Sequence, residues 1–513
     1  MNVKKPHFRP MRIVLLLALG IYAIVNCSCF SCDWTHYLES TERTAYSYCQ
    51  GPDLPEILWK VNMQGDFDTP LFVLDDKVIA LKKDSMSHLS ETNVTVLDLL
   101  TGNVVSSADT EGIMFGIFPM ENGIIGIQKE ELCQIDLTSG NIAPLAHIPP
   151  KFFHVYPVFP LVLESGIIIP STPAVCLSKS DFSQLWNLDG LSSFVEDSTP
   201  ASLAGNESLV YFVLEKKGEL YIAAINPQKG LLIWRSHILP AALYLTATED
   251  GVFCGGFNLW KFSREGEMVW EVSLEQRIVS NMVRGPDGLY CVDAGNNLYE
   301  VDFEGNLLWK AFCEVSPWYY ETHLLGGGDI LYCVRNSGDV VSPETTVITA
   351  FNMKTGEKLW ELGLGASHYV KAPPILADGI LVVGTVGGNI IAVASDPDLF
   401  VKQGDKFMDI GDRNRASESY EKALELCEKK QLADKHQEIL KHVMEQGFTQ
   451  FGTPIPSPPQ TQPPQPTPPE TVLETAAPST EPESSLQLPE WYYLLAAAGI
   501  ITALVVYVLR RRK

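Results

Sequence analysis

Three cysteines recur at one place in successive segments of this chain: Val252-Phe253-Cys254, Leu289-Tyr290-Cys291 and Leu331-Tyr332-Cys333. Thiols embedded in apolar runs read as small buried hydrophobes rather than as ligands or nucleophiles. Cys32 and Cys49 stand close enough in sequence to close a small disulfide loop. The ten histidines form no spaced metal motif, and no phosphate loop, nucleophile elbow or dinucleotide fingerprint occurs. The reading therefore assigns no catalytic residue, no metal and no cofactor, and takes the chain for a non-enzyme. The side chains best suited to chemistry are aromatics with polar tips: Tyr244, the run Trp318-Tyr319-Tyr320, and His368-Tyr369. Such residues dominate binding hot spots, so they are the candidate contact surface for a peptide or sugar.

The elements that would carry them repeat. A turn with glycine is followed four residues later by tryptophan at Gly230 and Trp234, Gly266 and Trp270, Gly305 and Trp309, and Gly356 and Trp360. Leu97 to Gly102 and Ile135 to Gly140 keep the turn without the tryptophan, while Ser183 to Trp186 keeps the tryptophan without the glycine. Units of roughly 35 to 50 residues have the length of a four-stranded propeller blade. Anchors then fall at Trp59, Val105, near Ala146, and at Trp186, Trp234, Trp270, Trp309 and Trp360. Each tryptophan is expected to cover the seam to the next blade by docking over its glycine turn. Eight blades result if the segment after Trp360, ending near Ala394, borrows the strand Glu56 to Lys60; seven is the alternative. That closure removes the open sheet edge. Eight to ten residues after an anchor an aromatic often recurs, as Phe67, Phe115, Phe194, Tyr244, Tyr319 and Tyr369. These rings would either wedge between inner strands as core or project around the channel mouth.

The pattern Ala350-Phe351-Asn352-Met353-Lys354-Thr355-Gly356-Glu357-Lys358-Leu359-Trp360 resembles the repeat of the PQQ-binding-like β-propeller family, of the quinoprotein and outer-membrane-assembly type. The resemblance covers residues 50–395 and implies a mainly β, eight-bladed propeller. It also implies a choice of function. Quinoprotein members use adjacent cysteines, a calcium site and a catalytic aspartate, and this chain has no adjacent cysteines. Residues 399–447 turn charged and helical in period. There Gly404, Ala416, Tyr420, Ala423 and Leu424 resemble the spacing of a tetratricopeptide-like helix pair. One such unit must pack on the propeller, pair with a second copy, or await a partner helix.

The ends set the expected location. Basic residues precede the apolar run Ile13 to Val25, so residues 1–29 read as a signal peptide or signal anchor. Residues 452–490 are a Pro-rich linker. Residues 491–509 carry no charge and would span about 28 Å as a transmembrane helix, before the basic tail 510–513. The positive-inside rule puts that tail in the cytoplasm and the head outside. In a eukaryotic host Asn93-Val94-Thr95 and Asn206-Glu207-Ser208 would be glycan acceptors. The formal charge of −24 argues against nucleic-acid partners. The expected function is a membrane-tethered extracytoplasmic scaffold that binds proteins of the cell envelope. The alternatives are a carbohydrate or cell-wall binder, and a PQQ-type envelope dehydrogenase.

Overall fold

The computed structural model describes residues 34–448 except 68, 84–91, 111–113, 121–122, 129–130, 137–140, 149–158, 171–173, 189–202, 217–218, 238–243, 314–321, 339–342 and 366–369. The linker, the C-terminal apolar run and the N-terminal leader lie outside these residues. No helix among the described residues is long and apolar enough to cross a membrane.

Eight antiparallel sheets follow one another, the first seven over 72–109, 114–147, 161–187, 203–237, 244–273, 283–312 and 323–363. The eighth is built from both ends of the domain. Its strands run in the order Ile375–Ala377, Ile380–Gly384, Asn389–Ala394 and then Glu56–Asn62, with Glu56 opposite Ala394 and Asn62 opposite Asn389. This is the closure expected from sequence, and it makes the count eight rather than seven. Second strands such as Gly251–Gly255, Gly288–Val292 and Ile380–Gly384 are buried throughout, because neighbouring blades cover both of their faces. Outer strands such as Met268–Ser273 and Leu307–Phe312 alternate in exposure, as half-covered strands must.

Five of the eight seams are made by a tryptophan over a glycine. A Cβ at Gly102 would come within 2.6 Å of the Trp59 ring, and the same holds for Gly230 under Trp186, Gly266 under Trp234 and Gly356 under Trp309; Gly305 under Trp270 leaves 3.0 Å. These glycines have φ between 63 and 90°, so conformation and space both exclude a side chain. The indole N–H donates to a carbonyl of the same turn: Trp59 to Leu99 at 2.8 Å, Trp186 to Pro227 at 2.7 Å, Trp270 to Phe303 at 3.0 Å and Trp309 to Met353 at 2.9 Å. Trp360 has no glycine beneath it. It donates instead to Pro52 O at 3.2 Å, because the incoming chain before the closing strand replaces the turn.

A β-bulge precedes every one of these tryptophans. In the fourth blade Ala224 faces Trp234 and Ile225 faces Leu232, leaving Ile233 unpaired. Leu58, Leu185, Val269, Leu308 and Leu359 are the corresponding extra residues. A bulge bends the strand and re-aims the next side chain, here into the seam. It also corrects one expected anchor. In the first blade Ser106 faces Val96, in the tryptophan position, and Val105 is the exposed bulge residue.

After the ring come three helices, Pro397–Asp409, Arg413–Lys429 and Ala433–Glu445. The first starts on Asp396, whose side chain accepts from Asp398 N, with proline at the first turn. Gly404 lets the ring of Tyr420 pack against the first helix, where a Cβ would collide with it. Of the three ways to cover such a hairpin, the structure shows packing on the propeller. Leu399, Phe400 and Phe407 share a core with Leu58, Trp59, Leu97 and Leu99. Buried Gln403 donates to Leu58 O at 3.0 Å and Leu100 O at 2.9 Å, and Lys406 meets Asp98 at 2.6 Å.

Candidate functional site

The innermost strand of a propeller blade presents an unpaired edge to the axis. Here residues 34–50 fill that position. Trp34 exchanges hydrogen bonds with Val73 of the first blade, at 3.2 and 2.9 Å. Gly205 N of the fourth blade donates to Thr41 O, Ala247 N of the fifth to Glu42 O, Arg284 N of the sixth to Thr44 O and Gly326 N of the seventh to Ala45 O, all between 2.8 and 3.0 Å. Tyr46–Ser47 then pairs in parallel with His323–Gly327. A segment bonded to the inner strands of five blades occupies the channel, and it satisfies edges that would otherwise face an aqueous bore.

Arg43 holds this plug. It is 1% exposed, and its guanidinium donates to Tyr37 O at 2.6 Å, Leu203 O at 3.2 Å, Phe159 O at 3.3 Å and Pro160 O at 3.2 Å. Burial lowers its pKa to about 10. Tyr37 stacks on Phe159 with 4.1 Å between centroids, and the Arg43 guanidinium lies 5.0 Å from the centre of the Tyr37 ring. Burial, followed by the charge of Arg43, lowers His36 to about 4. Leu38, Glu39, Arg43 and Ala45 all have φ between 51 and 72°. Four non-glycine residues in the left-handed region within eight positions carry real conformational cost, so contacts with the channel wall must hold them there. The sequence reading left this segment unassigned. Its one available signal was the density of aromatics, Trp34, Tyr37, Tyr46 and Tyr48, between two cysteines.

The candidate contact residues fare differently. Trp318, Tyr319, Tyr320, His368 and Tyr369 lie outside the described residues. Tyr244 is not a rim residue: it opens the inner strand Tyr244–Thr248, 6% exposed, in a cluster with Phe253, Ile278 and Met282. The first residue of an inner strand faces the adjoining blade, so a ring there becomes core. Phe67 is likewise buried, among Leu71 and Val383. Of the tryptophans, Trp59, Trp186 and Trp360 are buried, while Trp234, Trp270 and Trp309 are half-buried.

Cys254, Cys291 and Cys333 are each wholly buried, as small apolar side chains would be. Cys49 is disulfide-bonded, and its partner lies outside the described residues. No three His, Cys, Asp or Glu side chains among the described residues are arranged to hold a metal ion. The Asn93 acceptor site is corrected: its side chain is buried, donating to Asp109 at 2.7 Å and accepting from Thr95 and Ser107.

No protein-family model matches the chain, and no curated protein matches it in sequence. Solved structures do match in shape. BamB from Moraxella catarrhalis is 12% identical with a TM-score of 0.50, covering 66% of this chain and 98% of its own. The quinohemoprotein alcohol dehydrogenase of Comamonas testosteroni is 13% identical with a TM-score of 0.52, covering 75% of this chain and 86% of its own. The computationally designed Ika8 protein is 14% identical with a TM-score of 0.52, covering 66% of this chain and 99% of its own. At such identities the likeness is one of fold: the chain shares the β-propeller architecture of these proteins, here with eight blades.

Proposed function

We propose that this protein is a non-catalytic scaffold whose propeller binds other proteins through its outer surface. The observation that carries the reading is the filled channel: a ligand that needed the axis would have to displace residues 34–50 from five blades. Contact is then left to the exterior, where bulges expose apolar side chains in sets, Leu232 with Ile233, Met268 with Val269 and Leu307 with Leu308. The chain's own first helix covers the equivalent Leu58, and Gln403 satisfies its carbonyl. A partner's amphipathic helix, with an amide side chain among its apolar residues, is the occupant this geometry fits. The tetratricopeptide-like helix pair adds a second protein-contact surface. The crossing residues Trp318, Tyr319, Tyr320, His368 and Tyr369 belong to the same proposal as a rim. So does the tether: the uncharged run from Trp491 to Leu509 supports a single membrane span with the head outside, and the disulfide at Cys49 supports an oxidising compartment.

Pull-downs from solubilised membranes test this with three baits: the native chain, the Ile233→Glu, Val269→Glu, Leu308→Glu variant, and the Trp318→Ala, Tyr319→Ala variant. A partner kept by the native and aromatic-deleted baits but lost by the glutamate bait supports seam docking. The reverse pattern assigns the contact to the rim. A chain that recovers no protein with any bait, yet turns over a substrate, overturns the scaffold reading.

A further inference from the structure

One pair of side chains has chemistry that the scaffold role does not use. Cys313 ends the sixth blade, and Cys333 lies in the strand Ile330–Gly338 of the seventh. Their sulfurs stand 2.9 Å apart, inside ordinary nonbonded contact, and both residues are buried. The backbone fixes each of them. Cys313 N donates to Asn296 O at 2.8 Å, and Cys333 is paired with Leu324 on one side and Thr349 on the other. Cys313 and Cys333 are free thiols in the structure, as are the equivalent Cys254 and Cys291 on the same strand of the fifth and sixth blades, but no second thiol bears on the latter two. The contact is therefore peculiar to this seam and not a by-product of the repeat. A second observation bears on its redox fate: Cys49 of the same chain is already in a disulfide.

We propose that Cys313 and Cys333 form a disulfide that clasps the sixth blade to the seventh. The chemistry is thiol–disulfide exchange with an external disulfide, either a protein oxidant or oxidised glutathione. One cysteine, as thiolate, attacks that disulfide and expels its first thiol. The second cysteine then attacks the mixed disulfide and expels the other. Two S–H bonds of the chain are lost, one S–S bond forms, and the external disulfide is reduced to two thiols. Because both sulfurs are buried in the closed ring, the exchange belongs to folding, before these blades meet. The bond reinforces a seam already covered by Trp309 over Gly356. It also closes the 20-residue interval between the two cysteines, a constraint that acts mainly on the unfolded chain.

The test uses the full-length protein produced through its export route. It is denatured in guanidinium with iodoacetamide and no reductant, then reduced, labelled with N-ethylmaleimide and digested for mass spectrometry. The expected result is the second label on Cys313 and Cys333, with the first on Cys133, Cys176, Cys254, Cys291 and Cys427. An unreduced digest should contain the two peptides as one linked species. Iodoacetamide on both residues, or linkage of either to any other cysteine, overturns the proposal. The labelling needs no variant, so a misfolding Cys313→Ser protein cannot obscure the answer. Where that variant does fold, Cys333 should shift wholly to the first label; a Cys333 that still resists iodoacetamide in denaturant argues against the pair.

Discussion

Replacing Arg43 with methionine tests whether the channel is held shut as the structure shows. Methionine keeps much of the aliphatic volume and removes all the donors. The guanidinium makes four N–H···O contacts to carbonyls of Tyr37, Phe159, Pro160 and Leu203, in a site 1% exposed. At about 1.5 kcal/mol for each bond from a charged donor, the gross contribution is ~6 kcal/mol. The same burial that lowers Arg43 to about 10 disfavours the cation and offsets roughly 3 kcal/mol. The net loss expected is about 3 kcal/mol, and no carboxylate among its hydrogen-bond partners softens it. Unfolding entropy near 2.1 cal/mol/K per residue over about 400 residues turns this into a Tm lower by roughly 3 to 4 °C. Differential scanning calorimetry of the two proteins at pH 7 measures it. Arg43→Lys should recover only part of the loss, since an ammonium cannot reach blades three and four and Tyr37 O at once. An Arg43→Met protein melting within 1 °C of the native one refutes the seated plug, and with it the argument that ligands are confined to the exterior.

Deleting residues 50–62 removes the closing strand of the eighth blade and should abolish the cooperative melt, so an unchanged thermogram would refute ring closure. Trp360→Ala, at a buried ring, should cost about 3–5 kcal/mol by urea denaturation. The half-buried Trp234 and Trp309 should cost less, about 2–3 kcal/mol, and native-like stability in all three would show that the seams do not depend on them. Gln403→Leu leaves Leu58 O and Leu100 O without their donor, at about 1–3 kcal/mol for each orphaned group; limited proteolysis should then release the helices before the ring, and simultaneous cleavage contradicts this. Burial lowers His323 to about 4 against an ordinary 6.5, so between those pH values the unfolded chain binds a proton that the fold refuses. That histidine makes stability fall as pH drops from 6.5 to about 4, with no further loss below. The native protein should therefore lose more Tm over that window than His323→Gln, and parallel Tm curves would count against it.

The seams were legible in the sequence because each is encoded twice within a few residues. Glycine at the turn and tryptophan four positions later are fixed relative to one another by one hairpin, and repetition supplied the partner for each. Ring closure was legible for the same reason, since Trp59 is an outer-strand anchor with no blade of its own before it. What failed was whatever depends on a single inserted residue or on a distant surface. The bulge moved the first-blade anchor from Val105 to Ser106, because pattern matching counts residues and not pairs. Tyr244 was offered as a rim residue because spacing says where a ring falls along the chain but not which way the strand turns it. The plug was invisible. Its left-handed Leu38, Glu39, Arg43 and Ala45 are ordinary residues whose conformation is imposed by partners up to about 280 positions away.

The helical hairpin shows how one seam of this ring is covered by the chain itself. A seam tryptophan needs a bulge to reach the next blade, and the bulge turns the preceding apolar residue and a carbonyl outward. In the eighth blade that residue, Leu58, is 7% exposed because the first helix lies on it, with Gln403 on its carbonyl. In the fourth, fifth and sixth blades Ile233, Val269 and Leu308 are 54, 54 and 52% exposed. The packing device that stabilises the ring thus leaves an exposed apolar point at the seams of the fourth, fifth and sixth blades. The corresponding point of the eighth is already occupied by a helix of the same chain. Ion pairs from both helices hold the hairpin there, with Lys406 of the first on Asp98, Lys422 and Lys429 of the second on Glu56, and its capping Lys430 on Asp53. Surface pairs of this kind contribute little affinity but choose among partners and orientations. On the proposed scaffold role, seam shape should supply the affinity for a helix at the fourth, fifth and sixth blades, while the charges around each seam decide which helix binds.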